Sequence, residues 1–177
     1  MSELNLSKID NLTSSINSEI YVGYIKDEEE MNRNIIEVID REIGENDYKT
    51  NVKAQMTKWK MWEYPGFNRL SEFLVKIAKE LADIKNCSEL KFEITDMWGC
   101  KYKDGEHTIS HDHWPALWSV VYYLYPPKDS SNLVLTDFNY EIKPEHGKIV
   151  IFPGHYNHQV NKKSFKGIRY VVSANIR

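Results

Sequence analysis

Apolar side chains in this sequence follow a helical period in the first half and short β-type runs in the second. From Asp27 to Ile43, Met31, Ile35, Val38, Ile39 and Ile43 recur three or four positions apart, which gathers them on one helical stripe. The Asp27-Glu-Glu-Glu30 run puts negative charge at the N-terminal end, where the free amide groups favour it. After the turn signal Tyr64-Pro-Gly66, Phe67, Leu70, Phe73, Leu74, Ile77, Ala78 and Leu81 trace a second amphipathic face, the strongest helical signal in the chain. Ile20-Tyr-Val-Gly-Tyr-Ile25 reads as a strand ahead of the first helix, and Lys53 to Trp62 shows no clear period. The polar arm 1–19 is expected to be loosely held unless it pairs with a sheet edge.

From Glu89 onward the pattern predicts strands at Leu90–Met97, Leu117–Tyr125, Leu133–Phe138, Lys148–Phe152 and Gly167–Ile176. In Leu117–Tyr125 both alternating faces are apolar: Leu117, Ser119, Val121 and Tyr123 on one, Trp118, Val120, Tyr122 and Leu124 on the other. Such a strand fits between a filled interior and covering helices. In the last strand Ile168, Tyr170, Val172, Ala174 and Ile176 alternate with Arg169, Val171, Ser173 and Asn175, so Arg169 shares a face suited to a polar pocket. Helices first and strands after predict an α+β class, with a double-sheet antiparallel core in the C-terminal half and the N-terminal helices as scaffold packed on a sheet.

The 177 residues fit one domain, 1–177, with a helical support region at 1–88 and the β core at 89–177; no repeat or linker divides them. A net charge of −3 with no basic stripe gives no sign of a nucleic-acid partner or a membrane surface. Cys87 and Cys100 lack a metal-binding spacing and are too few for a disulfide framework, which favours a reducing compartment. Neither a leader-like N-terminus nor a membrane-length apolar run is visible, so a soluble cytoplasmic protein is expected. Eleven Tyr and five Trp suit a β-rich core or a lined pocket.

Candidate chemistry centres on His111-Asp112-His113. Two imidazoles one residue apart fall on the same side of an extended strand, so a third group from elsewhere would close a three-point metal site. His158, beyond the apolar Ile149-Val-Ile-Phe-Pro153 run, and Arg169 in the last strand join the pair as candidates. His155 is the rival to His158, while His107 and His146 read as ordinary surface or core residues. Asp112 would face away from the pair on a regular strand, and a bulge would be needed to bring it round.

In order along the chain, Trp98, Gly105, His111-Asp-His113, Ser119-Val-Val-Tyr-Tyr-Leu124, Pro126, Phe152-Pro153, His158-Gln-Val160 and Arg169-Tyr-Val-Val-Ser-Ala-Asn175 resemble the iron(II)- and 2-oxoglutarate-dependent oxygenases of prolyl-hydroxylase type. The likeness is nearest to members from marine bacteria and phages, the latter acting inside a host cell, and it covers 89–177 far better than the N-terminal half. It implies a double-stranded β-helix, or jelly roll, with Fe(II) held at one mouth by His111, His113 and His158. It further implies that Arg169 grips the far carboxylate of 2-oxoglutarate, aided by the Tyr123 hydroxyl, with Ser173 as a weaker candidate and Tyr102 also facing the co-substrate. The reaction implied couples decarboxylation of 2-oxoglutarate by O₂ to oxidation, most simply hydroxylation, of a primary substrate that the sequence does not name. The usual ligand set is two histidines and a carboxylate. Here His113 stands where the carboxylate is expected, and Asp112 is the alternative ligand. Two further readings stay open: a cupin-like three-histidine dioxygenase that needs no anchor such as Arg169, and a non-enzymatic jelly-roll binding or structural module.

Overall fold

A computed structural model describes residues 5–8, 19–44, 50–84 and 89–177, so Cys87 and most of the polar arm lie outside the described residues. Strands β1 (Asn5–Lys8) and β2 (Tyr21–Tyr24) lead into helix α1 (Glu29–Glu42), and the short strands β3 (Val52–Lys53) and β4 (Gln55–Met56) precede helix α2 (Phe67–Ile84). The second half is built from β5 (Ile94–Tyr102), β6 (His107–His111), β7 (Trp118–Tyr123), β8 (Leu133–Leu135), β9 (Tyr140–Ile142), β10 (Lys148–Pro153), β11 (His158–Val160) and β12 (Arg169–Ile176). A seven-stranded sheet runs β1-β2-β10-β7-β12-β5-β4, and a five-stranded sheet runs β3-β6-β11-β8-β9. The arm is thus tied down in part, because β1 pairs antiparallel with β2 at the edge of the larger sheet.

Two apolar layers follow from the alternation along β7 and β12. Trp118, Val120, Tyr122, Val172, Ala174 and Ile176 point outward into a cluster with Met31, Ile35, Val38 and Ile39 of α1 and Leu70, Leu74, Ile77 and Leu81 of α2. Val121, Tyr123 and Val171 point the other way, into an interior shared with Leu133, Leu135 and Ile142 of the smaller sheet. Polar groups fasten the helical layer: the buried Tyr122 hydroxyl donates to Asn32 Oδ1 at 2.8 Å, and Lys101 reaches Asp40 at 2.6 Å.

Two predicted strands shift, each for a physical reason. The strand expected at Leu90–Met97 begins at Ile94 and runs on to Tyr102, because β12 offers it a partner from Ile176 back to Arg169. Gly99, an unfavoured strand residue, is needed there, since a Cβ would lie 2.3 Å from Ile39 Cγ1 where α1 crosses. The run Leu133–Phe138 stops as a strand at Leu135; Thr136–Phe138 forms a 3₁₀ turn that Asn139 ends at φ 50°. Lys53 to Trp62, without period in the sequence, contributes only the short edge pairings of β3 with β6 and β4 with β5.

Gly99→Ala is expected to drive α1 away from β5 and cost about 1–3 kcal/mol, the usual penalty of overpacking. Chemical denaturation checks this; stability equal to the wild type would show that the helix-sheet contact is looser than described.

Candidate metal centre

The smaller sheet carries the histidines to one mouth of the interior. In β6 the register against β11 slips by one residue: His158 faces His111 and Val160 faces Thr108, so an extra residue lies between Thr108 and His111. Such a bulge re-aims the side chains that follow it. Thr108 and His111 therefore both face the interior, which a regular strand forbids for residues three apart. The strand ends at His111, so His113 is not on it, contrary to the expected extended pair. A turn places His113 instead: Asp112 Oδ1 accepts the Trp114 N–H at 2.9 Å, and the His113 carbonyl accepts from Ala116 N at 2.8 Å. The His113 N–H is itself held by the Gly154 carbonyl at 2.7 Å.

His111, His113 and His158 come together with one ring nitrogen each within 4.8 Å of the others. Ring centroids are 4.8 Å apart for His111 and His113, 4.4 Å for His111 and His158, and 5.1 Å for His113 and His158. Nδ1 of His111 faces the Ile109 carbonyl at 2.8 Å, and Nδ1 of His158 faces the Tyr156 carbonyl at 3.1 Å. A carbonyl only accepts, so these Nδ1 atoms carry the protons and each Nε2 lone pair is free for a metal. Behind His113 stands the Asn175 amide, with Nδ2 3.5 Å from Nδ1 of His113 and 3.3 Å from Asp96 Oδ2. Burial, together with the neighbouring imidazoles, pushes His158 down to about 3 and His113 down to about 4, and burial lowers His111 as well. All three are neutral ligand donors at physiological pH.

Deeper in the same cavity lies Arg169, which is 1% exposed. Its guanidinium carbon sits 5.1 Å from the Tyr102 ring centroid and 5.3 Å from that of Tyr123. Among the described residues no carboxylate lies within ion-pair distance of it. Arg169 Nε and the Tyr123 hydroxyl are both buried, and apart from a loose contact between the guanidinium and that hydroxyl neither meets a partner among the described residues. A buried, unpaired cation beside an unpaired donor is costly, and an entering anion would relieve both. Ser173 lines the cavity between this end and the histidines, two positions along the inner face from Asn175.

Other candidates fall outside the cluster. Asp112 is exposed with its carboxylate turned to the Trp114 amide, and His155 is exposed against Tyr156. His146 stacks on Tyr125 at 4.3 Å, and His107 pairs with Lys53 on the far side of β6. Asp137, open in the sequence to reading as a strand-end cap or a site residue and left out of the predicted site, has a carboxylate that takes the Asn157 N–H at 2.8 Å and the Asn157 Nδ2 at 3.1 Å. That grip fixes the residue just before His158, and the spacing of a 3₁₀ turn gives no sign of it. Thr108 was also missed, because its inward aim depends on the bulge.

No protein-family model matches the sequence, and no curated protein matches it. Solved structures do resemble the fold. A viral collagen prolyl hydroxylase from Paramecium bursaria Chlorella virus-1, solved as a 2-oxoglutarate complex, aligns with a TM-score of 0.62 at 17% identity over 97% of this chain and 95% of that one. A Pseudomonas putida prolyl-4-hydroxylase gives 0.64 at 16% identity over 84% and 86%. HygX from Streptomyces hygroscopicus, solved with nickel and 2-oxoglutarate bound, gives 0.64 at 11% identity over 90% and 82%. The two sheets are thus a jelly-roll core with helices packed on one sheet, the fold of 2-oxoglutarate- and Fe(II)-dependent oxygenases. The donor set fits that chemistry: three neutral imidazoles suit iron, and the orphaned Arg169 suits a carboxylate. No described helix is long and apolar enough to cross a membrane.

Two outcomes are expected. The unfolded chain takes up protons near pH 6.5 while folded His113 and His158 stay neutral to about 4 and about 3, so metal-free stability is full above pH 6.5 and falls as pH drops toward 4. Denaturation at pH 7 and pH 5 measures the slope, and His158→Gln should flatten it; equal slopes in the two proteins would contradict the assignment. A Cβ on Gly154 would lie 2.2 Å from the Ala116 carbonyl oxygen, so Gly154→Ala should shift the segment bearing His113 and weaken Co(II) affinity roughly tenfold or more. Titration by cobalt absorption reads this, and unchanged affinity would remove His113 from the binding set.

Proposed function

We propose that the protein is an Fe(II)- and 2-oxoglutarate-dependent oxygenase, most simply a hydroxylase, working as one unit with 1–88 as support and 89–177 carrying the site. The observation that carries the reading is the pairing, within one cavity, of three converging imidazoles at the mouth with a buried guanidinium that has no counter-ion among the described residues. His111, His113 and His158 would hold the metal, Arg169 and the Tyr123 hydroxyl would hold the far carboxylate of 2-oxoglutarate, and Ser173 and Tyr102 would flank it. Bound iron, with 2-oxoglutarate and O₂, supplies oxidative decarboxylation coupled to oxidation of a second substrate.

The chain's own contributions are geometric and electrostatic. Carbonyl acceptors on Nδ1 of His111 and His158 orient two rings, and the Asp112 turn together with Gly154 orients the third. Because all three ligands are neutral, the metal keeps its full charge, which strengthens its hold on an anionic co-substrate. Trp98, Val121, Leu133, Val160 and Val171 give the cavity apolar walls between the histidines and Arg169. The unpaired Arg169 disfavours the cupin-like reading, in which no anion needs gripping. A reducing cytoplasm, where iron stays ferrous, is its natural place of work, and the branch from marine bacteria and phages its natural kin.

Anaerobic addition of Fe(II) and then 2-oxoglutarate should produce the weak visible charge-transfer band of the chelate. Arg169→Gln should raise the 2-oxoglutarate concentration needed at least about 30-fold while leaving Co(II) binding intact, as expected when one partner of a buried charge pair is removed. Absence of the band in the wild type, or equal titrations in the two proteins, would refute the reading.

A further inference from the structure

We infer that the mouth of the metal site takes an organic cation, an ammonium or a guanidinium group, stacked on the exposed indole of Trp114 beside the charges of Asp112 and Asp137. The primary substrate is then one that carries such a group. The inference deepens the oxygenase reading above and rests on it for the role of the bound cation as substrate.

Trp114 follows His113 directly and is 74% exposed, the most exposed of the large apolar side chains among the described residues. The segment that carries it is fastened at both ends. Asp112 Oδ1 accepts the Trp114 N–H at 2.9 Å, and the His113 carbonyl accepts from Ala116 N at 2.8 Å. Beyond them, the Leu117 carbonyl accepts from Gly154 N at 3.0 Å, and Leu117 N donates to the Ile176 carbonyl at 2.9 Å. Pro115 and Leu117, both exposed, continue the apolar surface along the same segment. An isolated apolar side chain in water is ordinary. This one is displayed on a fixed turn that also presents a candidate metal ligand, which makes it a stacking surface at the opening of the cavity.

Charge selects what stacks there. Asp112 lies between His111 and His113, and Asp137 grips Asn157, the residue before His158, so an exposed acid flanks the opening on each side. Asp96 stands behind His113 through the Asn175 amide. None of the three has a Lys or Arg within ion-pair distance among the described residues. Arg169, the one cation lining the cavity, lies at its depth. A divalent metal and a doubly charged co-substrate would cancel, leaving these acids to set the field at the opening. Such a field draws cations and repels anions. An indole face is the best aromatic partner for a cation, so the ring and the acids call for the same guest. Acids serving only to balance the metal would leave the displayed indole without a role.

The test uses protein loaded with 2-oxoglutarate and with Zn(II) in place of iron, which keeps NMR signals sharp. The probes are N-acetylarginine methylamide and N-acetyllysine methylamide, each beside its uncharged counterpart, the citrulline and the Nε-acetyllysine compound. Affinities are read from the probe signals, and the place of binding from the Trp114 indole N–H. A cationic probe should bind at least about fivefold more tightly than its counterpart and shift that N–H. Trp114→Ala should weaken it about fivefold or more while Co(II) affinity stays within about twofold. Asp112→Asn keeps an acceptor for the Trp114 amide but loses the charge, and should weaken the cation while sparing the uncharged probe. Equal affinity for charged and uncharged probes, no binding of either cation, or wild-type affinity in Trp114→Ala would overturn the inference. So would a dimer, seen by sedimentation, that Trp114→Ala dissolves, because a second copy would then cover the indole. A wild type that prefers the cations yet gives no charge-transfer band with Fe(II) and 2-oxoglutarate would instead refute the proposed function, so the two failures are distinguishable.

Discussion

Pairing of β12 on both sides is the constraint on which the site depends. β5 and β7 hydrogen-bond it from Arg169 to Ile176 and from Val171 to Ile176 respectively, so its register cannot slip. A slip by one residue would turn every side chain to the opposite face. It would turn Arg169 toward the helical layer, on the face where Tyr170 now meets Asp40 of α1, and Val172 into the cavity. With the register fixed, Arg169, Val171, Ser173 and Asn175 form a graded inner row, running from the guanidinium at the depth of the cavity to the amide behind His113. The helices are held on the outer face by the same alternation.

Charge explains why this interior takes a guest. The imidazoles are neutral because burial disfavours their protonation, and the guanidinium stays charged because Arg cannot give up its proton in a protein. The cavity is therefore positive at its depth and rich in lone pairs at its mouth. A metal cation would satisfy the mouth, and an anion reaching inward would satisfy the depth. A ligand bearing a chelating end and a carboxylate end would answer both demands at once. A metal held there by His113 in place of a carboxylate would be more electropositive still, while Asp96 and Asp112, whose charges reach His113, stand outside the cluster.

Much of this was legible in the sequence where periodicity and burial coincide. The two apolar faces of β7 and the mixed faces of β12 appear as read, and the two helices fall within a few residues of their predicted spans. His111, His113, His158 and Arg169 were all named, and one cavity brings them together. What escaped depended on irregular backbone. The β6 bulge that aims Thr108, the turn that carries His113 beyond the strand, and the 3₁₀ turn that lets Asp137 hold Asn157 leave no period in the sequence. β5 lies further along the chain than its apolar run suggests because its extent is set by pairing with β12 and by Gly99, which the packing of Ile39 requires. The N-terminal half revealed its helices but not its short edge strands, which owe their existence to partners rather than to their own residues.

An anaerobic crystal structure with Fe(II) and 2-oxoglutarate tests the central claim most directly. The metal should be bonded to His111, His113 and His158, with the far carboxylate of the co-substrate on the Arg169 guanidinium. Metal held by Asp112 in place of His113, or a co-substrate carboxylate placed away from Arg169, would contradict the account.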